Sequence, residues 1–147
     1  GSTNPNDYVS VNSEGRPKSP KTDDNTHLGL ILAHNTSNTK LYGEGTIDGQ
    51  GRELALNIDS LHNAGIKIDP NYGNNRPNET VRPKLFSFSM CKQVKIEDLN
   101  IKSSAGWGLS FELCDDLIID KIKLTNRAFW NNDGMDITDC TNVRITN

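Results

Sequence analysis

Four residues near the end of the printed sequence carry side chains that could take part in a reaction: Trp130, Asn131, Asp133 and Asp136. A carboxylate can donate or accept a proton, an amide can orient a bound group, and an aromatic ring offers a flat apolar surface. Each also has a structural alternative. Asp133 with Gly134 is an ordinary turn dipeptide. Trp130 could be loop packing, Asn131 a member of an asparagine ladder, and Asp136 an outward strand residue.

The cysteines and histidines do not predict a metal centre. The three cysteines form no C-x-x-C pair, and the three histidines lie far from them in the sequence. Small buried thiols are the favoured interpretation. The residues concerned are Cys91, Cys114, Cys140, His27, His34 and His62.

The composition excludes several classes of protein. The 147 residues include 16 basic and 19 acidic ones, a net charge of −3, and neither half is a basic arm of the kind that binds nucleic acid. The longest apolar run, residues 28–33, is far shorter than the ~20 residues that span a bilayer. No N-terminal stretch has the order of a signal peptide. The length predicts one domain, at roughly 100–200 residues per domain.

The elements that must position the four residues are predicted by a repeat. Cys114 follows Cys91 by 23 residues, and Cys140 follows Cys114 by 26. Aliphatic residues recur at fixed offsets after each cysteine, and pairs of apolar residues recur five and three positions before it. The recurring sets are Val94, Ile96, Leu99 and Ile101; Leu117, Ile119, Ile122 and Leu124; Val143 and Ile145; and the pairs Phe86 and Phe88, Leu109 and Phe111, and Met135 and Ile137.

A spacing of two within each pair indicates short strands, and a period of 20–50 residues indicates a solenoid. Three short strands per unit of 23–26 residues predict an all-β parallel β-helix, which we expect to be right-handed. Because the chain stops in mid-strand at Asn147, after Ile145, we expect this β-helix to be truncated at its C-terminal end. The stacked cysteines are expected to be three free buried thiols, since side chains of in-register parallel strands point the same way. The outward positions stack as Ser87, Ser110 and Asp136, and as Ser89, Glu112 and Thr138.

The predicted organisation is a partial single β-helix domain over residues 1–147. Residues 1–27 are predicted to be an irregular N-terminal loop region, and residues 28–147 to form the coils, with a long loop at 69–83. Within the coils, residues 28–33 and 40–47 are expected to be strands. Only residues 53–63 have local helix character, enough for one or two turns.

Several stretches resemble the polygalacturonase family, glycoside hydrolase family 28. Residues 43–51 are similar to the family's G-x-G-x-I-D-G-x-G coil, and residues 131–137 to its N-T-D-G-x-D motif. Residues 82–88 running into 91–96, and the strand at 142–145, also resemble the family. The resemblance covers most of the chain and is strongest from residue 82 onward.

The resemblance implies inverting hydrolysis of α-1,4-linked galacturonan and related pectic chains. Such chemistry needs an acid on the leaving oxygen and a carboxylate base on water, about 6.5–9.5 Å apart. Asp133 matches the family aspartate that helps activate the water, so it is the candidate catalytic residue. Asn131, Trp130 and Asp136 are candidates for substrate binding. No metal or organic cofactor is implied, and the expected partners are the polysaccharide and the rest of the protein's own chain. Export to the periplasm, cell surface or medium is expected.

The sequence also departs from the family pattern. The family's Asp-Asp pair, which holds the general acid, follows the N-T-D-G motif by about one coil and would fall past Asn147, as would its histidine and Arg/Lys pair. We therefore expect this chain to be a piece of an enzyme and inactive alone.

Asp115-Asp116 lies one coil too early to be the family's Asp-Asp pair and is expected to be solvated, like Asp23-Asp24. Asn132 replaces the motif's threonine, and residues 52–57 lack the tryptophans often found there. The substrate therefore stays open between polygalacturonan, another acidic or branched pectic glycan such as rhamnogalacturonan, and a different glycan altogether.

Two other interpretations remain open at this point. The parent protein could be another β-helix enzyme acting on polysaccharide, either a lyase or a hydrolase of a different family. It could also be a non-catalytic β-helix, such as an adhesin or a glycan-binding module, in which Asp133 is only a turn residue.

Overall fold

A computed structural model describes residues 1–10 and 27–147 of the chain. These residues contain twelve strands, one α-helix and two short 3-10 helices, Pro5–Asp7 and Glu79–Val81. The strands and the helix are β1 (Val9–Ser10), β2 (Leu28–His34), β3 (Lys40–Tyr42), β4 (Thr46–Asp48), α1 (Gly51–Asn63), β5 (Lys84–Ser89), β6 (Lys92–Glu97), β7 (Asn100–Lys102), β8 (Leu109–Glu112), β9 (Asp115–Asp120), β10 (Lys123–Thr125), β11 (Met135–Thr138) and β12 (Thr141–Thr146).

The strands form three stacked sheets, as expected of a parallel β-helix. The first sheet has the order β1-β2-β5-β8-β11, the second β3-β6-β9-β12 and the third β4-β7-β10. All pairs are parallel except β1 with β2, which is antiparallel. Each coil therefore contributes one strand to each sheet in turn, and the fold class predicted from the repeat is confirmed.

The strand register reproduces the offsets read from the sequence. Phe86 pairs with Leu109, 23 residues later, and Leu109 pairs with Met135, 26 residues later. The second sheet has the same two offsets, with Lys92 opposite Asp115 and Asp115 opposite Thr141. The three additional residues of the longer unit therefore lie in the loop between β10 and β11, residues 126–134, which we call the site loop.

The core lies between the three sheets and is formed by the apolar ladders. Phe86, Phe88 and Phe111 are almost fully buried, and the ring of Phe88 lies edge-on to Phe111 with centroids 5.6 Å apart. The three cysteines are free, and Cys91 and Cys114 are buried as predicted. The expectation of burial is wrong for Cys140, which is only half-buried, because no further coil of the described chain packs on the coil that carries it.

The helix α1 is longer than the sequence predicted. It has 13 residues instead of one or two turns, and buries Leu54, Ala55 and Ile58. Two of these pack with Ala105, at the turn after β7, and with Tyr8. A helical spacing of apolar residues is present, but it is short, and burial against another segment stabilises it more than propensity does.

Three other boundaries differ from the expectations. The predicted strand over residues 40–47 is two strands, because the chain bends at Gly43, which has a φ of 130°. The N-terminal region is not wholly irregular, since it contains the first 3-10 helix and β1, while residues 11–26 lie outside the described residues. The long loop at 69–83 contains the second 3-10 helix.

Candidate active site on the first sheet

The outer face of the first sheet carries the polar rows that the sequence predicted. Ser87, Ser110 and Asp136 occupy one row of register partners, and Ser89, Glu112 and Thr138 occupy the next. We call this surface the site face. It holds two carboxylates and four hydroxyl groups within two rows of one sheet.

A lysine that the sequence did not single out also lies on this face. The backbone N–H groups of Leu85 and Phe86 both donate to the carbonyl of Gly108, a β-bulge that puts both side chains into the core and leaves Lys84 outside. The Nζ atom of Lys84 donates to Ser110 Oγ at 3.2 Å, and Lys84 is only 5% exposed. A β-bulge interrupts the alternation of inward and outward residues along a strand. Alternation alone therefore could not have identified Lys84 as a residue of the site face.

Asp133 is held at the edge of the site face by hydrogen bonds to its own backbone carbonyl group. The carbonyl of Asp133 accepts hydrogen bonds from Gly108 N at 2.9 Å and from Asn126 Nδ2 at 2.7 Å, while its side chain is exposed. A Cβ atom on Gly108 would lie 2.4 Å from the Gly134 carbonyl oxygen. Glycine at 108 is therefore required for the loop to approach β8 this closely.

Asn132, the departure from the family motif, fastens the loop to the coil below. Its Nδ2 atom donates to the carbonyls of Ser104 at 2.8 Å and Gly106 at 2.9 Å, and its Oδ1 atom accepts from the N–H of Phe129. A threonine could not make all three bonds, because it has one hydroxyl group and no amide. The position is therefore structural here.

Replacing Asn132 with alanine is expected to lower the free energy of unfolding by about 2 kcal/mol, because buried backbone groups lose their partners. Urea unfolding followed by circular dichroism measures this. Asn100, which is exposed on β7, provides the matched control, and Asn100→Ala should change stability far less. Equal losses in the two variants would mean that the Asn132 contacts contribute nothing specific.

Arg82 supports the site loop from beneath. It is 1% exposed, donates from one terminal nitrogen to the carbonyls of Ala105 (2.7 Å) and Trp130, and from the other to Asn131 Oδ1 at 3.3 Å. Its guanidinium carbon lies 5.5 Å from the Phe129 ring centroid. Burial lowers the pKa of Arg82 from its ordinary value, yet a guanidinium remains charged at neutral pH.

The two other candidates in the loop have different surroundings. Trp130 is 50% exposed and is flanked by Phe129, edge-on at 4.6 Å, and by the Arg76 guanidinium at 4.9 Å. The indole is thus in contact with two neighbouring side chains and remains half exposed. Asn131 is exposed and has a left-handed backbone with a φ of 53°, and its side-chain oxygen is occupied by Arg82.

Asp136 has an environment that is unusual for a carboxylate. It is half-buried, and its Oδ2 atom has no hydrogen-bond partner among the described residues. Burial raises the pKa of Asp136 above its ordinary value, the charge of Asp133 raises it further, and Lys84 opposes both. The two carboxylates therefore interact, with one lysine close enough to offset their charge.

This raised pKa predicts a pH dependence of stability. The folded state holds the Asp136 proton more tightly than the unfolded state, so stability falls as pH rises from about 3.9 through the raised folded pKa. Asp136→Asn should therefore gain stability over the natural chain progressively across that window. Urea midpoints at a series of pH values measure the difference, with exposed Asp139→Asn as control. A difference that does not vary with pH would contradict the prediction.

The other carboxylates noted in the sequence lie elsewhere. Asp115 is on β9 in the second sheet, where its Oδ1 atom accepts from Thr141 Oγ1 and, at 3.1 Å, from Asn142 Nδ2. These bonds lower the pKa of Asp115 and tie two coils together. Asp116 is exposed beside it, and Asp23-Asp24 lies outside the described residues.

Residues 1–10 and 27–147 contain no group of three or more His, Cys, Asp or Glu side chains that could hold a metal ion. No helix among these residues is long and apolar enough to cross a membrane.

The stacked sheets and the carboxylate-bearing face place the chain among the parallel β-helix proteins. The model of the glycosyl hydrolases family 28 matches residues 3–147, and the chain therefore belongs to that family. The resemblance recognised in the sequence is confirmed.

Two similar proteins agree with this assignment. A polygalacturonase of Persea americana is 33% identical over 66 residues, which are 44% of this chain and 14% of that protein. A solved structure from Parabacteroides merdae, provisionally named a glycosyl hydrolase, superposes with a TM-score of 0.63 at 20% identity. That superposition covers 99% of this chain and 66% of the other, and it shows the shared fold.

Proposed function

We propose that this chain carries part of the active site of a glycoside hydrolase that cleaves an acidic pectic polysaccharide, of the polygalacturonan or rhamnogalacturonan type, with inversion. The observation that carries the proposal is the pair Asp133 and Asp136 at one edge of the site face, beside the buried cation of Lys84. The family membership and the polygalacturonase relative support the reaction class.

In the proposed mechanism Asp133 is the base. Its exposed carboxylate takes a proton from a water molecule, which attacks the anomeric carbon from the face opposite the leaving oxygen. Asp136 is a substrate-binding residue, and its carboxyl group, whose pKa is raised by burial and by the charge of Asp133, lies close enough to the base to interact with it. Trp130 offers its open half to a sugar ring, and Asn131 orients the loop.

The general acid of this mechanism is placed outside the 147 residues, because the family's Asp-Asp pair follows the matched motif by about one coil. Inversion needs the two carboxyl groups about 6.5–9.5 Å apart, which leaves room for the water molecule. We accordingly expect the 147-residue chain to release no sugar by itself. The polymer substrate implies an enzyme that is exported to the periplasm, cell surface or medium.

The test compares a longer protein that includes this chain with the chain alone, on polygalacturonan, rhamnogalacturonan and a neutral galactan. New reducing ends from one acidic polymer, with an inverted anomer in early nuclear magnetic resonance spectra, are the expected result. Ultraviolet absorbance of an unsaturated product would reveal a lyase and overturn the proposal. Cleavage of only the neutral polymer would overturn the substrate class, and sugar release by the chain alone would overturn the placement of the acid.

A further inference from the structure

The side chain of Asn126 uses both ends of its amide group at the base of the site loop. Asn126 directly follows β10 and is half-buried. Its Oδ1 atom accepts from the backbone N–H of Ser104 at 2.8 Å, and its Nδ2 atom donates to the carbonyl of Asp133 at 2.7 Å. Asn126 was not a candidate in the sequence, and the mechanism above does not use it.

Ser104, the first attachment point, is a fixed part of the coil below. It is fully buried, and its hydroxyl group donates to the carbonyl of Trp107 at 2.5 Å. The carbonyl of Ser104 accepts from Asn132 Nδ2 at 2.8 Å, and a Cβ atom on Gly51, the first residue of α1, would lie 2.1 Å from that carbonyl oxygen. The amide of Asn126 is therefore attached to a backbone segment that is packed on several sides.

The second attachment point is the proposed base itself. Among the described residues, the hydrogen bonds to Asp133 reach its carbonyl oxygen, one from Asn126 and one from the N–H of Gly108 at 2.9 Å. The two donors come from different segments, the end of β10 and the turn before β8. They fix the orientation of the Asp133 backbone, and with it the direction in which the exposed carboxylate projects.

An asparagine suits this position because one planar amide group donates and accepts at the same time. An aspartate would keep an acceptor for Ser104 but would have no donor for Asp133. Gly108 leaves the space that the amide needs, since a Cβ atom there would lie 3.0 Å from Asn126 Nδ2. A misplacement of about 1 Å in a reacting group can lower a rate about 10²-fold, so the orientation of Asp133 matters for the reaction.

We propose that Asn126 is a positioning residue for the reaction, which fixes the backbone of Asp133 so that its carboxylate faces the water molecule it activates. The inference deepens the proposed function and rests on Asp133 being the base. In this role Asn126 acts through Asp133 and does not contact the substrate.

Two variants of the intact enzyme separate the two ends of the amide. Asn126→Asp keeps an acceptor for Ser104 and loses the donor to Asp133, whereas Asn126→Ala loses both. We expect kcat to fall about ten-fold in each variant, because each loses the same hydrogen bond to Asp133, and KM to change less than about two-fold. Urea unfolding should show the larger loss of stability in Asn126→Ala, which removes the partner of the buried N–H of Ser104.

The matched control, Asn142→Asp, lies on the second sheet. Asn142 Nδ2 also donates to an oxygen atom, Asp115 Oδ1 at 3.1 Å, and an aspartate removes that donor in the same way. We expect this variant to retain the natural kcat, because the hydrogen bond that it loses is remote from the site loop.

A measurement without substrate tests the same contact. In the 147-residue chain, the amide hydrogen of Gly108 is bonded to the Asp133 carbonyl, so its exchange with solvent reports on how firmly that carbonyl is held. Exchange followed by nuclear magnetic resonance should become several-fold faster in both Asn126 variants and stay unchanged in Asn142→Asp.

Each outcome decides the proposal. Lower kcat in both Asn126 variants, with unchanged KM and faster exchange at Gly108, supports it. Full activity in Asn126→Asp, a loss of kcat that follows the loss of stability, an equal loss of kcat in Asn142→Asp, or unchanged exchange at Gly108 would each overturn it.

The failure of this inference can be distinguished from the failure of the proposed function. The rates are measured on whichever polymer the enzyme cleaves, so an error in the substrate class does not affect the comparison. If Asp133→Asn retained its activity, the proposed base would be wrong and the positioning role with it. A large loss in Asp133→Asn without a loss in the Asn126 variants would refute the positioning role alone.

Discussion

Asp133→Asn in the intact enzyme is expected to lower kcat by about 10²–10⁴-fold, the usual contribution of a positioned acid or base, with a much smaller change in KM. The asparagine has nearly the shape of aspartate but cannot take a proton from water. Its backbone carbonyl, which receives the hydrogen bonds from Gly108 and Asn126, is kept. Initial rates of reducing-end release on the preferred acidic polymer measure the loss.

The matched control is Asp139→Asn, on the turn between β11 and β12. Asp139 is also exposed, and its left-handed backbone, with a φ of 52°, suits asparagine equally well. We expect full activity in this variant and unchanged circular dichroism in both. If Asp133→Asn retained most of its activity, Asp133 would be a turn residue, and the structural alternative noted in the sequence would be correct.

Arg82→Met is expected to lower the free energy of unfolding by about 3 kcal/mol, because one buried and one partly buried carbonyl group that Arg82 now satisfies would lose their donor, at about 1–3 kcal/mol each. These carbonyls belong to Ala105 and Trp130. Methionine retains most of the packing of the arginine stem, so the loss reports mainly on the guanidinium. Urea unfolding at neutral pH measures it, and proteolysis within residues 126–134 should become faster.

Two further variants show whether the loss of stability in Arg82→Met is specific to its guanidinium group. Arg52→Met changes an exposed arginine on α1 and should alter stability by less than about 0.5 kcal/mol. Arg82→Lys keeps the charge, but its single ammonium nitrogen does not reproduce the planar fork whose two terminal nitrogens reach Ala105, Trp130 and Asn131, so an intermediate loss is expected. If Arg82→Met were as stable as the natural chain, Arg82 would not be the residue that holds the site loop.

The coils were predictable because stacking turns one local pattern into a periodic one. Leu117 lies opposite Val94 and Val143 in the structure because all three occupy the same offset from a cysteine. Elements outside the stack have no such signal. The helix α1 is stabilised by contact with Ala105, 47 residues beyond Ile58, and a contact over that separation leaves no mark in a short window of sequence.

The candidate site was predictable only for the residues that a motif or the strand alternation marks. Asp136 and its row partner Ser110 followed from alternation, and Asp133 from the motif. Lys84 lies on the same face because of a β-bulge, which alternation does not predict. Arg82 supports the site loop by donating to backbone carbonyl groups, and these are present in every residue, so no residue type marks the contact. Asn132 was noted as a mismatch with the family, whereas its role depends on carbonyl groups of Ser104 and Gly106 that only the folded chain brings near.

The extra three residues of the site loop have a consequence for which changes the solenoid tolerates. The insertion leaves the register of the first and second sheets undisturbed, so neither core packing nor strand pairing has to adapt to it. Lengthening a loop has a small entropic cost, about 0.6 kcal/mol for each doubling. The solenoid is therefore expected to tolerate insertions and deletions between β10 and β11, because they change the loop and leave the stacked strands as they are. A library of variants with different loop lengths at residues 127–130 would test this tolerance directly.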